Sequence, residues 1–241
     1  MRHPARALLV GALAFLPVLP GCGGGDDGGE GGTVTVYVSV PQTGERAAEG
    51  RAVIAGARDA LADADGRAGD LAVRAVYLDD TAGTGRWDLA ATGANARRAV
   101  EDASAVGFIG NLDSGATRVS LPITNQADLV QISPGATAPD LTRRVSAELE
   151  PGRYRPSDEQ TFARLVPAGE AVAVCAAHGY EAMALILDAV SVAGAERPEI
   201  VDEVLGIRNR DSRIGTYSLT PEGDIRPKDV GFAPCAPQVQ R

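Results

Sequence analysis

Residues 106–117 read Val106-Gly107-Phe108-Ile109-Gly110-Asn111-Leu112-Asp113-Ser114-Gly115-Ala116-Thr117. Val106 to Ile109 is a short apolar run of strand length, and Gly110-Asn111 breaks it. Ser114 then opens a helical stretch to about Asn125, disturbed by Pro122. A strand that feeds directly into a helix is the repeating step of a parallel α/β sheet. Its turn lies at the carboxyl end of the strand, where open α/β sheets hold ligands. A helix start also presents unpaired N–H groups and the positive end of a dipole, both suited to an anion. Ser114 adds a hydroxyl there, and Gly115 lets the backbone approach closely. A plain helix cap accounts for Ser114 as well.

The same alternation extends upstream. Thr33 to Val40 is β-branched and alternating, a strand that Pro41-Gln42-Thr43-Gly44 ends. A helix is expected from about Ala47 to Ala64, with Val53, Ile54, Ala57 and Leu61 on one face. Leu71 to Leu78 is a strand closed by Asp79-Asp80, and Asp88 to Asp102 a helix. Downstream, Leu129 to Ile132 is a fourth strand and 134–156 is loop-rich. Thr161 to Val166 has strand character, and Glu181 to Val192 is amphipathic with helical spacing. Pro198 suits the first turn of a helix through Leu205; Thr216 to Leu219 reads as a strand, and Pro221 to Asp224 as a turn. The order β-α-β-α-β-α-β predicts a Rossmann-like parallel sheet with flanking helices and right-handed crossovers.

The chain has 241 residues, 44% hydrophobic and 23% charged, enough for a buried core. Aromatics are only 4%, so that core is built from Ala, Val, Leu and Ile. A net charge of −9 argues against a nucleic-acid partner, which needs a basic face to displace phosphate counterions. Arg2, His3 and Arg6 precede an apolar stretch from Ala7 to Val18, too short to span a bilayer. Leu19-Pro20-Gly21-Cys22 follows, and then the Gly-rich acidic run Gly23 to Gly32. Residues 1–21 therefore read as a lipoprotein signal peptide, Cys22 as its lipidation site and 22–32 as a flexible tether. Cys175 and Cys235 remain, open to two readings: a disulfide, or two small buried thiols.

Three stretches together resemble the type I periplasmic binding proteins, in the leucine/isoleucine/valine-binding branch that serves ABC transporters. They are Pro41 to Gly44 with Glu49-Gly50, Ile109 to Thr117, and Ile132-Ser133-Pro134-Gly135-Ala136-Thr137-Ala138-Pro139-Asp140-Leu141-Thr142. His178 to Met183 and Thr220 to Asp224 are also similar to family stretches. The resemblance implies that Ser114 and Thr137 hold a ligand α-carboxylate through their hydroxyls. The backbone around Gly115, Gly135 and Ala136 would complete the site. Thr43, Gly44 and Glu49 would belong to a ligand loop, with Glu49 where relatives often carry an aromatic residue. Without the resemblance, Thr137 only closes a turn.

The family has two lobes around a cleft. Here the likeness reaches Phe162 to Pro167, the usual first crossing into the second lobe, and resumes near Gly179. A lobe of roughly 100 residues does not fit in that gap. The expected organisation is lobe one at 33–166, a junction at 167–178, C-terminal helices and a hairpin at 179–225, and an irregular tail at 226–241. Ala171 to Ala177 is open between a short strand and a backward extension of the following helix. Loss of one wall predicts weak ligand binding or none, and exposed apolar surface near the join. The implied partners are an amino acid or related carboxylate, an ABC permease and, through the anchor, a membrane. The competing reading is a ligand-free paralogue or a protein-interaction lobe, which apolar surface at 165–178 would favour.

No enzymatic reading is supported. The chain has only His3 and His178, and no Gly-x-Ser-x-Gly or phosphate-loop motif, so no catalytic residue, metal or cofactor is assigned. His178 is expected at the surface or as a helix cap, and Asp79-Asp80 as a solvated loop pair.

Overall fold

The computed structural model describes residues 32–170, 172–228 and 235. The expected signal peptide, Cys22, the expected tether as far as residue 31 and most of the expected tail lie outside the described residues. The chain runs β1 (Thr33–Val40), α1 (Ala47–Asp63), β2 (Arg67–Ala68), β3 (Leu71–Asp79), α2 (Leu89–Glu101), β4 (Ala105–Gly110), α3 (Ser114–Asn125) and β5 (Gln131–Ser133). After two single 3-10 turns come β6 (Phe162–Arg164), α4 (Ala176–Ala193), α5 (Arg197–Leu205), β7 (Tyr217–Leu219) and β8 (Ile225–Pro227). No helix among the described residues is long and apolar enough to cross a membrane.

One sheet has the order β2-β3-β1-β4-β5-β6, and β7 and β8 pair separately as an antiparallel hairpin. All pairs of the main sheet are parallel except β2 with β3. β2 has no counterpart in the sequence reading. It is a two-residue return made possible by positive φ at Asp65, Gly66 and Gly69. The chain moves from β1 to β3 on one side, then crosses to β4 on the other. The carboxyl ends of β1 and β4 therefore form the topological switch point, the ligand crevice of such sheets.

β1 is central, and all but its first residue is buried, so both of its faces pack. Its polar positions are satisfied internally: Thr35 meets the Ser104 hydroxyl at 2.8 Å, and Ser39 Oγ accepts from Asn95 Nδ2 at 3.0 Å. One face packs on α1, α4 and α5, and the other on α2 and α3. Gly56 of α1 and Gly179 of α4 set the closest helix approach. A Cβ on Gly56 would lie 1.8 Å from Ala176 O, and one on Gly179 2.1 Å from Val53 O. α4 thus lies backbone to backbone against α1, on the same face of the sheet.

Several boundaries differ from expectation. β5 begins at Gln131, not Leu129, although Leu129 and Val130 run in fully buried. α4 extends back to Ala176 with Cys175 as its cap, while 172–175 belongs to no regular element. Arg226 and Pro227, placed in the tail by the sequence, complete the hairpin. At the join Leu165, Val166 and Val174 are buried, while Ala173 is exposed and Pro167, Ala168 and Val172 are half-buried. Among the described residues the exposed large hydrophobics are Leu89, Val145, Leu149 and Val192, all away from the join. The hairpin turn covers the edge strand, with Arg164 N–H donating to Gly223 O at 2.9 Å.

Candidate functional site

The turns after β1, β3, β4 and β5 gather at the carboxyl edge of the sheet. Ser114 is the first residue of α3, and its side chain faces the loop after β5. Its hydroxyl oxygen accepts from Thr137 N–H at 3.1 Å and from Ala138 N–H at 3.0 Å. A hydroxyl that accepts twice still has its proton to donate. Asp113, the residue before α3, makes no side-chain capping bond, and its carboxylate lies 3.1 Å from Arg46 Nη1. The first N–H groups of α3 are therefore not closed by their own cap.

Residues 133–138 are held from beneath as well. Ser133 Oγ accepts from Gly135 N–H at 3.3 Å and Ala136 N–H at 2.8 Å, and donates to Asn111 O at 2.6 Å. Arg164 is fully buried and donates to Ala136 O at 3.1 Å, Ala138 O at 2.9 Å and Thr142 Oγ1 at 2.7 Å. Its Nε forms an ion pair with Asp224 Oδ1 at 2.9 Å, tying the hairpin turn to this loop. Burial lowers the Arg164 pKa to about 10, and Asp224 opposes the shift. The Gly135 and Ala136 amides, expected to meet a ligand, are thus engaged within the protein. Gly135 itself packs against Leu112 O and Val174, each 3.1 Å from where its Cβ would stand. Thr137 O accepts from Gly169 N–H at 2.7 Å, and its half-buried hydroxyl has no partner among the described residues.

A second group of loops adjoins Ser114. Gly44 stacks on the Gly85 backbone, 2.1 Å from a would-be Cβ, and Glu45 N–H donates to Gly85 O at 3.1 Å. Thr43 shares a hydrogen bond of 2.6 Å with Thr81. Thr43 and Gly44 therefore dock the turn after β1 onto the turn after β3. Glu49 is held by Arg46 at 2.5 Å, so Arg46 bridges it to Asp113. The Trp87 indole lies across Gly115, whose absent Cβ would meet its Cζ2 at 2.5 Å. The close approach that Gly115 permits is made by this ring. Between the loops is a pocket of about 260 Å³ bounded by Pro41, Glu45, Arg46, Arg86, Trp87 and Asp113.

A buried polar chain underlies both groups. Asn111 donates to Asp80 Oδ2 at 2.8 Å and accepts from Ser120 at 2.8 Å; Ser120 accepts from Gln131 at 2.8 Å. Asp80 is fully buried, not a solvated loop residue as the sequence suggested, and its Oδ1 has no partner among the described residues. Burial raises its pKa to about 6; the Asn111 bond opposes this, while the Asp113 and Asp79 carboxylates add to it.

Cys175 and Cys235 are joined, with Cα atoms 5.7 Å apart, which links the region before α4 to the tail. His178 takes the capping position expected of it, accepting from Cys175 N–H at 3.3 Å through Nδ1, but it is buried and not at the surface. Burial lowers its pKa to about 4. Cys175, His178 and Cys235 lie close together, an association their spacing in sequence did not reveal. Trp87, Arg46 and Arg164 were likewise missed, because each acts on residues remote in the chain.

No family model matches the chain. No curated protein matches it either. Solved structures do. A leucine-binding protein, LivK, from Thermotoga maritima aligns with a TM-score of 0.59 at 16% identity, over 80% of this chain and 93% of that one. A putative branched-chain amino acid ABC transporter protein from Rhodospirillum rubrum gives 0.61 at 16% identity, over 81% and 95%. The substrate-binding protein LivJ from Streptococcus pneumoniae, solved with isoleucine, gives 0.60 at 13% identity, over 80% and 93%. At these identities the likeness concerns the fold. With its six-stranded sheet matching one lobe, the chain has the fold of the type I periplasmic binding proteins, the architecture of branched-chain amino acid ABC transporter substrate-binding proteins.

Proposed function

We propose that this chain is an extracytoplasmic solute-binding module of an ABC transporter, taking an amino acid or related small carboxylate on a single lobe. The observation that carries the reading is the placement of Ser114 and Thr137. The Ser114 hydroxyl and the Thr137 backbone are joined at the carboxyl edge of the sheet, beside a helix start that its own cap leaves open. That arrangement offers donors to a carboxylate. The leucine and isoleucine bound in neighbouring structures point to amino acids as the ligand class. The basic and apolar leader ending at Cys22 supports a lipid anchor, and the acidic tether supports a domain held off the membrane.

On this reading the chain lacks a second lobe and so one wall of the ligand site, and about 4 kcal/mol separates micromolar from millimolar binding. Affinity in the millimolar range is therefore expected. The alternative of a ligand-free paralogue or interaction lobe gains no support from Leu165, Val166 and Val174, which are buried. A thermal melt of the purified chain with millimolar amino acids and small carboxylates tests the proposal. At ten times Kd a ligand adds about 1.4 kcal/mol, a rise of a few degrees. A cooperative melt that no such compound moves would refute it.

A further inference from the structure

The pocket beside Ser114 has a composition that the binding reading does not use. Two of its walls carry rings, Pro41 and Trp87. Trp87 is the single tryptophan of the chain, and its indole is seated on Gly115, where no side chain intervenes. Its four charged groups are two of each sign. Arg46 and Asp113 pair at 3.1 Å, and Arg46 also holds Glu49. Glu45 and Arg86 remain, with no ion-pair partner among the described residues. One unpaired anion and one unpaired cation beside ring walls suit a zwitterion with a flat apolar side chain. A volume of about 260 Å³ suits a small ligand.

We infer that this pocket selects an aromatic α-amino acid over a branched aliphatic one. The ligand ring packs against Trp87 and Pro41, its ammonium faces Glu45, and its carboxylate is shared between Arg86 and the Ser114 hydroxyl at the pocket's edge. Trp87 is the specificity-determining residue. The turn after β3 supplies this aromatic wall, while Glu49 on α1 is engaged by Arg46. An offset or edge-on aromatic pair favours the aromatic ligand by about tenfold at most over equal apolar area. The inference rests on the solute-binding reading and narrows its ligand.

The test uses the full chain, titrated separately with L-phenylalanine and L-leucine, with tryptophan emission and the thermal melt followed together. Because Trp87 is the single tryptophan, the emission reports on this pocket alone. The expected result is that L-phenylalanine alters the emission, raises the melting temperature and binds about five- to tenfold more tightly than L-leucine. In Trp87→Leu that preference collapses, and Trp87→Phe restores part of it if the leucine variant folds poorly. L-leucine binding as tightly as L-phenylalanine, or either binding with unchanged emission, would overturn the inference and leave the solute-binding reading intact. No response of the melt to either amino acid, or to small carboxylates, would overturn both.

Discussion

Ser114 and Thr137 are joined directly: the Ser114 hydroxyl oxygen accepts the Thr137 N–H at 3.1 Å and takes the next amide, Ala138, at 3.0 Å. One side chain at the start of α3 thus fixes the loop after β5. Ser114→Ala removes the acceptor of two amides and is expected to cost about 1–3 kcal/mol. Urea unfolding measures the loss, and amide exchange should show faster exchange confined to Thr137 and Ala138. Unchanged exchange at these two would mean that the bonds do not hold the loop.

Arg164 approaches the same loop from below. Arg164→Leu leaves Asp224 without its buried partner and frees Ala136 O and Ala138 O. Breaking one side of such a pair costs about 3–5 kcal/mol. Asp224→Asn should destabilise by a similar amount, because it leaves the buried guanidinium uncompensated. A loss below about 1 kcal/mol in both variants, the range of an exposed pair, would contradict the buried arrangement.

Asp80 and His178 act oppositely on stability between pH 4 and 6.5. With its pKa raised to about 6 from 3.8, Asp80 costs about 3 kcal/mol when ionised, and the cost is relieved as pH falls through 6 towards 4. With its pKa lowered to about 4 from 6.5, His178 is neutral in both states above 6.5; as pH falls below that, the unfolded chain protonates first and up to about 3 kcal/mol is lost. Asp80→Asn should raise stability near pH 7.5 and steepen the acid loss. His178→Gln should reverse the slope. Unfolding curves at pH 4.5, 6 and 7.5 distinguish these outcomes from a uniform shift.

The Cys175–Cys235 bond spans 60 residues of chain. Loop-closure entropy for that length gives about 4 kcal/mol as an upper expectation for its contribution. A dithiol reductant should lower the melting temperature accordingly. An unchanged melt, with thiol titration proving reduction, would show that the bond does not stabilise the fold.

The α1–α4 contact depends on absent side chains. Gly179→Ala places a Cβ within 2.1 Å of Val53 O, so the helices must separate. The expected cost is about 1–3 kcal/mol or more, despite the higher helix propensity of alanine. A stabilised variant in calorimetry would contradict the packing.

Local pattern carried much of the architecture. Thr33 to Val40 and Ser114 to Asn125 form their elements at the expected limits, because β-branched alternation and a strand-turn-helix step are short-range signals. The order of elements implied the parallel sheet, and the resemblance put Ser114 and Thr137 in one region, where a hydrogen bond joins them. Which polar groups stay available was not legible. Ser133 taking the Gly135 and Ala136 amides, Arg164 crossing to Ala136 O and Trp87 lying on Gly115 are tertiary choices among residues far apart in sequence. Asp80 looked like half of an exposed acidic pair, yet the Asn111 side chain and the turn after β3 enclose it.

The most direct test of the account is an amide chemical-shift titration of the full chain with a millimolar amino acid, read residue by residue. The account predicts saturable shifts confined to the carboxyl edge of the sheet, at 41–46, 86–87, 113–116 and 135–138. Shifts centred on another surface, or none at ligand concentrations that would saturate a millimolar site, would contradict it.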